Sequence, residues 1–287
     1  MEPEDLIAFF AGVQTRLLAV ASVRHGFAST GLVQTPEAGF NLLVQEAATT
    51  LTMVREYVLP GQALLEVGGG VALMNAWLQH KGFDVMSLEP AGSGHDSYYD
   101  LGRLILVELG LDTNRWLPYR ADEAGQLGRT FDLVFSNNVL EHMTNLDESL
   151  AVLAKVLKLG GRMRHNCPNY LVPYEPHFGI PLVPFRPRCM EILWPRLKND
   201  GLWQSINFIT APRVKRIAHA HGLTVTFDRG HIHKTFERLT TEPAFRAKHL
   251  WLARVYRVMK ALRVDRILKW IPESLATPMQ MTMSHAE

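Results

Sequence analysis

Residues 62–70, QALLEVGGG, constrain this chain more than any other stretch. Ala63 to Val67 is a short apolar run opened by Pro60-Gly61, so it reads as a strand buried on both faces. Three glycines end it, and Val71 to Leu78 then has helical spacing. Strand, glycine turn, helix is the shape of a nucleotide cradle. Glycine turns sharply and lets backbone approach a ligand with no Cβ in the way. The helix start behind it offers unpaired N–H groups. About 20 residues further on a second strand, Phe83 to Leu88, ends in Glu89, where a ribose-binding carboxylate belongs.

From Leu64 the chain alternates strand and helix, as a parallel sheet requires. The pattern predicts helix 71–81, strand 83–88, helix 96–109, a short strand at 116–119 and strand 131–136. Helix 146–158 then stops at Gly160-Gly161, before strand 162–166. Ahead of this series, residues 6–24 read as one helix, and Pro36 at N1 with Glu37 in the first turn starts another that runs to about Tyr57. After Pro168 the rhythm breaks. Residues 168–210 hold seven of the sixteen prolines, with several aromatics. Helix 212–221 and strand 223–227 resume the sheet, a basic helical stretch occupies about 230–275, and a last strand falls at 279–283. The expected fold is a doubly wound, mostly parallel seven-stranded sheet. Residues 1–58 form a helical cover, and residues 59–287 a cofactor-binding domain with insertions at 168–210 and 230–275.

Gly68 and Gly70, behind Glu66, resemble motif I of the class I S-adenosylmethionine-dependent methyltransferases. A dinucleotide dehydrogenase would place its last glycine at Leu73, whereas Ala72 holds the later glycine position of the methyltransferase version. The stretch Phe131-Asp-Leu-Val-Phe-Ser-Asn-Asn-Val-Leu-Glu-His142 is similar to the fourth-strand motif of the ubiquinone and biotin biosynthetic methyltransferases. The resemblance covers about residues 63–169. It implies S-adenosyl-L-methionine as cofactor and methyl transfer to a small-molecule or glycan acceptor, lipid-linked acceptors included, with oxygen as the target atom. Two rivals stand beside it: a non-catalytic cofactor-binding protein on the same fold, and a nicotinamide-dependent oxidoreductase.

On this resemblance Glu89, followed by Pro90, accepts the ribose hydroxyls, while Gly68, Gly69 and Gly70 admit the amino-acid part. Glu66 orients the turn or reaches the cofactor ammonium through water. Asp122, next to Glu123, accepts from the adenine amino group or caps a helix. Asn137, with Asn138, faces the sulfonium. Methyl transfer is an in-line displacement that needs positioning and, for a hydroxyl acceptor, a base. His142 is the first candidate base and serves equally as scaffold; His165 and His177 are the others. Arg164 and His165 occupy a strand where the family carries apolar residues. Tyr170, Tyr174 and Glu175 lie in a proline-stiffened loop suited to the acceptor.

Other chemistries find less support. The formal net charge of +2 and the absence of an Asn/Asp-Pro-Pro-Tyr motif argue against nucleic acid as partner. The His219/His221 and His231/His233 pairs invite a metal reading. His219 and His221 lie two apart on a helix, so they point to different faces, and no metal is expected. The two cysteines, Cys167 and Cys189, fit a reduced compartment. The N-terminus lacks a basic n-region and no apolar run reaches membrane-spanning length, so the chain is expected to be cytoplasmic. Within 244–271, Arg254, Arg257 and Lys260 fall on one helical face and Trp251, Val255, Val258, Met259 and Leu262 on the opposite one. Either the apolar face packs on the domain, or a basic amphipathic helix makes peripheral contact with an anionic membrane surface. Oligomeric state is not written in these patterns.

Overall fold

The computed structural model describes residues 1–30, 35–91 and 96–286. Two compact units divide them: Met1–Asn137 with Asp147–Arg164, and Asn138–Leu146 with His165 onward.

The first unit opens with three helices: α1 (Pro3–Ala19), α2 (Ala21–Ser29) and α3 (Pro36–Val54). The single helix expected over 6–24 is in fact two, bent by 105° about an extended Val20. The bend lets Leu6, Phe10 and Leu17 on one arm and Phe27 on the other share one core with Phe40 of α3. No single helix among the described residues is long and apolar enough to cross a membrane. Thr35 starts α3 by accepting a hydrogen bond from the Ala38 N–H at 3.2 Å, with Pro36 at the first position.

Strand and helix then alternate: β1 (Ala63–Val67), α4 (Leu73–His80), β2 (Asp84–Leu88), α5 (Asp96–Leu109), β3 (Trp116–Leu117), β4 (Phe131–Asn137), α6 (Leu146–Val156) and β5 (Leu157–Cys167). All five residues of β1 are buried, as a strand covered on both faces must be. It runs parallel to β2, with Val67 opposite Leu88, and parallel to β4, with Leu65 opposite Val134. The glycine pair expected to separate a helix from a strand lies inside β5 instead. A Cβ on Gly161 would sit 2.9 Å from the Lys158 carbonyl and 3.0 Å from that of Asp132, so glycine serves close backbone approach there and not a helix stop.

The second unit adds the short pair β6 (Tyr174–Glu175) and β7 (Ile180–Pro181), then α7 (Met190–Leu193), α8 (Gly201–Ser205), α9 (Ala211–Ala220) and β8 (Leu223–Phe227). It continues with α10 (His231–Thr241), α11 (Pro243–Lys248), α12 (Leu250–Ala261) and β9 (Met279–His285). The main sheet has seven strands in the order β3-β2-β1-β4-β5-β9-β8, mostly parallel, with β8 and β9 antiparallel. A small core of this unit gathers Ile232, Leu239, Ala253, Tyr256 and Leu268. Of the apolar face expected on α12, Met259 packs on this core, and Ala253 and Tyr256 supply the rest of the contact. Tyr256 is buried edge-on to Phe236, whereas Trp251, Val258 and Leu262 are 60%, 57% and 67% exposed. Two apolar stripes run side by side on this helix, and the one carrying Tyr256 packs.

Candidate functional site

The first unit carries a cradle at the point where the strand order reverses, between β1 and β4. Each of its three glycines is required for its own reason. Gly68 and Gly70 have φ of 72° and 60°, the left-handed region that disfavours a side chain. A Cβ on Gly69 would lie 2.5 Å from Cζ3 of Trp116, so the ring forbids it. The turn is tied to β2 by the Gly68 and Gly69 N–H groups, which donate to the Leu88 carbonyl at 2.8 and 3.1 Å.

Glu89 is buried at the end of β2, and its Oε2 accepts from the Gly70 N–H at 2.8 Å. Burial pushes its carboxyl up to about 8, against the Gly70 bond and helped by the charge of Glu66. Glu66 is likewise buried and is pushed up to about 7 by that burial. Its Oε2 accepts from Ser87 Oγ at 2.6 Å, Asn75 donates to Ser87 at 2.8 Å, and Gln79 donates to Asn75 at 2.7 Å. Glu66 thus belongs to a buried hydrogen-bond chain that braces β1, β2 and α4. Sequence reasoning missed Ser87 and Asn75; a serine between Met86 and Leu88, two residues before Glu89, was the available signal. Tyr98 also senses Glu89, and burial raises its hydroxyl.

Asn137 ends β4 and donates from Nδ2 to Thr50 Oγ1 of α3 at 3.0 Å. Asp122 is not a helix cap: it pairs bidentately with Arg120 at 3.1 and 3.2 Å. Its neighbour Glu123 accepts the Arg120 N–H at 2.8 Å and closes the turn. Pro90 is half-buried after Glu89. Arg164 is buried, its guanidinium 5.0 Å from the Tyr57 ring centre and its Nε donating to the Met53 carbonyl at 3.3 Å. That accounts for a charged residue in a strand position where apolar ones are usual.

The second unit holds a cluster of buried acids and imidazoles. Glu141 is fully buried, and neither carboxylate oxygen has a hydrogen-bond partner among the described residues. Burial pushes its carboxyl up to about 7, against the neighbouring His177. His142 Nδ1 lies 2.8 Å from Ser205 Oγ, and His177 Nδ1 lies 2.6 Å from Glu175 Oε1. Glu175 also accepts from Tyr170 Oη at 3.1 Å and from the Phe178 N–H at 2.7 Å. His177 and the Phe178 N–H together hold its carboxyl below the usual range against the cost of burial. Tyr170, Glu175, His177 and His142 are therefore brought together, as is Glu141, which the sequence reading left out despite its place in Leu-Glu-His. Tyr174 turns elsewhere and meets His249 Nδ1 at 2.7 Å. His165 is fully buried in β5. Asn138, just past β4, is exposed with φ 56° and donates its N–H to the Asn166 carbonyl at 2.8 Å.

The cradle fits S-adenosylmethionine on its own geometry. It joins an open glycine turn, where a Cβ on Gly70 would meet nothing within 4 Å, to a carboxylate hydrogen-bonded to that turn. A family described as a methyltransferase domain matches residues 44–226. An uncharacterized protein of Mycobacterium tuberculosis (strain H37Rv) is 35% identical over 233 residues, covering 78% of this chain and 79% of its own. Among solved structures, geranyl diphosphate C-methyltransferase from Streptomyces coelicolor aligns with a TM-score of 0.47 and 14% identity, over 84% of this chain and 78% of that one. Phosphoethanolamine N-methyltransferase 2 of Haemonchus contortus aligns with a TM-score of 0.46 and 14% identity over 83% of this chain, which spans about half (52%) of that enzyme. The family match sets aside the nicotinamide reading. The chain belongs to the methyltransferase-domain family and is a class I, S-adenosylmethionine-dependent methyltransferase.

Proposed function

We propose that the enzyme methylates an oxygen of a small-molecule or glycan acceptor, lipid-linked acceptors included, and that the Glu141–His142–Glu175–His177 cluster activates that oxygen. A hydroxyl is a poor nucleophile until its pKa is lowered or its proton is removed. The acceptor oxygen then forms the O–CH₃ bond as the S–CH₃ bond breaks and its electron pair returns to sulfur. The observation that carries this reading is the pairing of His177 with a buried Glu175, while both imidazoles keep about a fifth of their surface open to solvent (20% and 24%). Glu141 and His142 also lie four and five residues past the end of β4 in the chain.

In this reading Glu89 accepts the ribose hydroxyls, the glycine turn admits the amino-acid part, and Asn137 faces the sulfonium. Glu175, itself held by Tyr170, keeps the imidazole of His177 in place.

The same reading places the enzyme in the cytoplasm, peripheral at the inner face of a membrane. Trp251, Val258 and Leu262 of α12 are exposed, as are Trp270 and the cations Arg254, Arg257, Lys260, Arg263, Arg266 and Lys269. Basic side chains beside exposed tryptophans suit an anionic lipid surface. Co-sedimentation should be strong with phosphatidylserine-containing vesicles, weak with phosphatidylcholine alone, and lost in Trp251→Ala/Trp270→Ala. Equal binding to both vesicles would remove the electrostatic part of this reading.

The acceptor reading is tested with methyl-labelled S-adenosylmethionine and a panel of phenols, sugars and lipid-linked sugars, alongside amines of matched size. Label in an ether, reduced at least tenfold in Glu175→Gln, is the expected result. Label confined to amine products would overturn the choice of oxygen.

A further inference from the structure

The two imidazoles beside Glu141 are each held through Nδ1. The Ser205 hydroxyl has a single proton and donates it to the Leu202 carbonyl at 2.7 Å, so in its bond with His142 Nδ1 the hydroxyl oxygen must accept. Glu175 likewise accepts from His177 Nδ1 at 2.6 Å. Both rings therefore donate from Nδ1 and turn Nε2 toward Glu141. Each Nε2 stands 3.9 Å from the same atom, Oε1 of Glu141. Two imidazole nitrogens thus converge on a buried carboxylate that has no hydrogen-bond partner among the described residues.

At that separation a charged imidazole pairs with the carboxylate, and a metal ion would draw the two closer. The distance is too long for a hydrogen bond. It is also shorter than the roughly 4.5 Å that two ordinary hydrogen bonds span when they meet at one water. Ligand atoms 2.0–2.2 Å from a tetrahedral ion lie about 3.3–3.6 Å apart, so each imidazole need move only a few tenths of an ångström toward the carboxylate to share an ion with it. All three ligand atoms lie within 4.8 Å of one another.

We propose that Glu141 Oε1, His142 Nε2 and His177 Nε2 form a binding site for one divalent transition-metal ion of the zinc type, with Glu175 and Ser205 orienting the two imidazoles. Two imidazoles and one carboxylate suit zinc, iron(II), cobalt or nickel and not magnesium or calcium, which prefer all-oxygen sets. Both rings engage their second nitrogen with a carboxylate or hydroxyl, the outer-shell arrangement that metal-bound histidines use. The carboxylates of Glu141 and Glu175 balance a dication, and the part-exposed imidazoles give it a way in. Sequence reasoning sought metal ligands in the H-x-H pairs and found none. These ligands come instead from Leu-Glu-His and from a loop 35 residues later.

Three protein ligands leave a fourth position open, as in catalytic zinc sites. On the acceptor reading above, that position takes the acceptor oxygen and lowers the pKa of its hydroxyl, the proton leaving to solvent. Only this last step rests on that reading; the metal site does not.

The test is equilibrium dialysis of tag-free, chelator-stripped full-length protein against Zn²⁺, Co²⁺ and Mg²⁺, with metal content measured directly and S-adenosylhomocysteine binding as the control for folding. One Zn²⁺ or Co²⁺ per chain at micromolar affinity or tighter is expected, with no Mg²⁺. Bound Co²⁺ should show visible ligand-field absorption, and His177→Ala should lose the ion. Glu175→Gln, a positioning change that keeps all three ligands, should weaken binding by roughly 10–100-fold, and it serves as the variant if His177→Ala no longer binds S-adenosylhomocysteine. Wild-type protein that binds S-adenosylhomocysteine but no transition metal would overturn the metal site and leave the methyltransferase intact. Undiminished metal binding in both variants would also overturn it. Metal binding lost in the variants, in a protein that ignores S-adenosylhomocysteine, would uphold the site and refute the cofactor assignment.

Discussion

The cradle of the first unit and the cluster of the second are built from different materials. In the cradle the geometry is mostly main chain: two glycines at positive φ, one glycine with no room for a side chain, and N–H groups aimed at Leu88 and Glu89. The cluster is almost all side chain, with Glu141 and His142 meeting Glu175, His177 and Ser205 from separate segments. A main-chain site is written in short consecutive motifs, because glycine is the one residue whose backbone preference is visible locally. A side-chain site is written in the fold and can only be read once distant segments are brought together.

The largest expected effect sharpens this contrast. On the proposed function Glu89→Ala removes the ribose acceptor, so S-adenosylhomocysteine affinity should fall by roughly 10–100-fold, the worth of the hydrogen bonding lost there. Zinc binding in the second unit should not change. Simultaneous loss of both would break the comparison.

Next comes pH. Glu66 and Glu89 have folded-state values of about 7 and about 8, raised above the ordinary 4.5. The folded protein therefore holds more protons than the unfolded chain between those limits. Their contribution is full below about 4.5 and is lost as pH rises through 7 and 8. For Glu66 alone it is roughly 3 kcal/mol at most. The melting temperature should fall between pH 5.5 and pH 8.5, and Glu66→Gln should flatten that slope. A steeper slope in the variant would contradict the burial account.

Gly69→Ala is smaller. A methyl 2.5 Å from the Trp116 ring must displace it, costing about 1–3 kcal/mol, visible as a drop of several degrees by calorimetry. An unchanged melting temperature would mean the ring has room to move. Asp122→Asn should change stability least, by under about 1 kcal/mol, because its pair with Arg120 is half open to solvent. A cofactor affinity that nevertheless falls would show that Asp122 also meets the adenine.

The sequence was legible where local chemistry decided the outcome. Pro60-Gly61, the glycine triplet and the periodicity behind it located β1, the turn and α4 to within two residues. The α1–α2 break was not legible, because neither proline nor glycine marks Val20 and tertiary packing makes the bend. Gly160-Gly161 misled because a glycine pair ends helices as readily as it permits close strand contact. On α12 two adjacent apolar stripes competed, and periodicity alone could not choose between Trp251 and Tyr256. In the site, Glu89, Gly68 and Gly70 stood out singly, as did His142, Glu175 and His177. Glu141 did not, because nothing in Leu-Glu-His shows that its carboxylate is buried beside two imidazoles.

The central claim is that this glycine turn and Glu89 form a methyltransferase cofactor site. Calorimetric titration of the wild-type protein with S-adenosylhomocysteine, and separately with NAD, tests it most directly. Micromolar binding of S-adenosylhomocysteine at one site per chain, with no heat from NAD, is the predicted result. Binding of NAD in its place, or of neither compound, would contradict it.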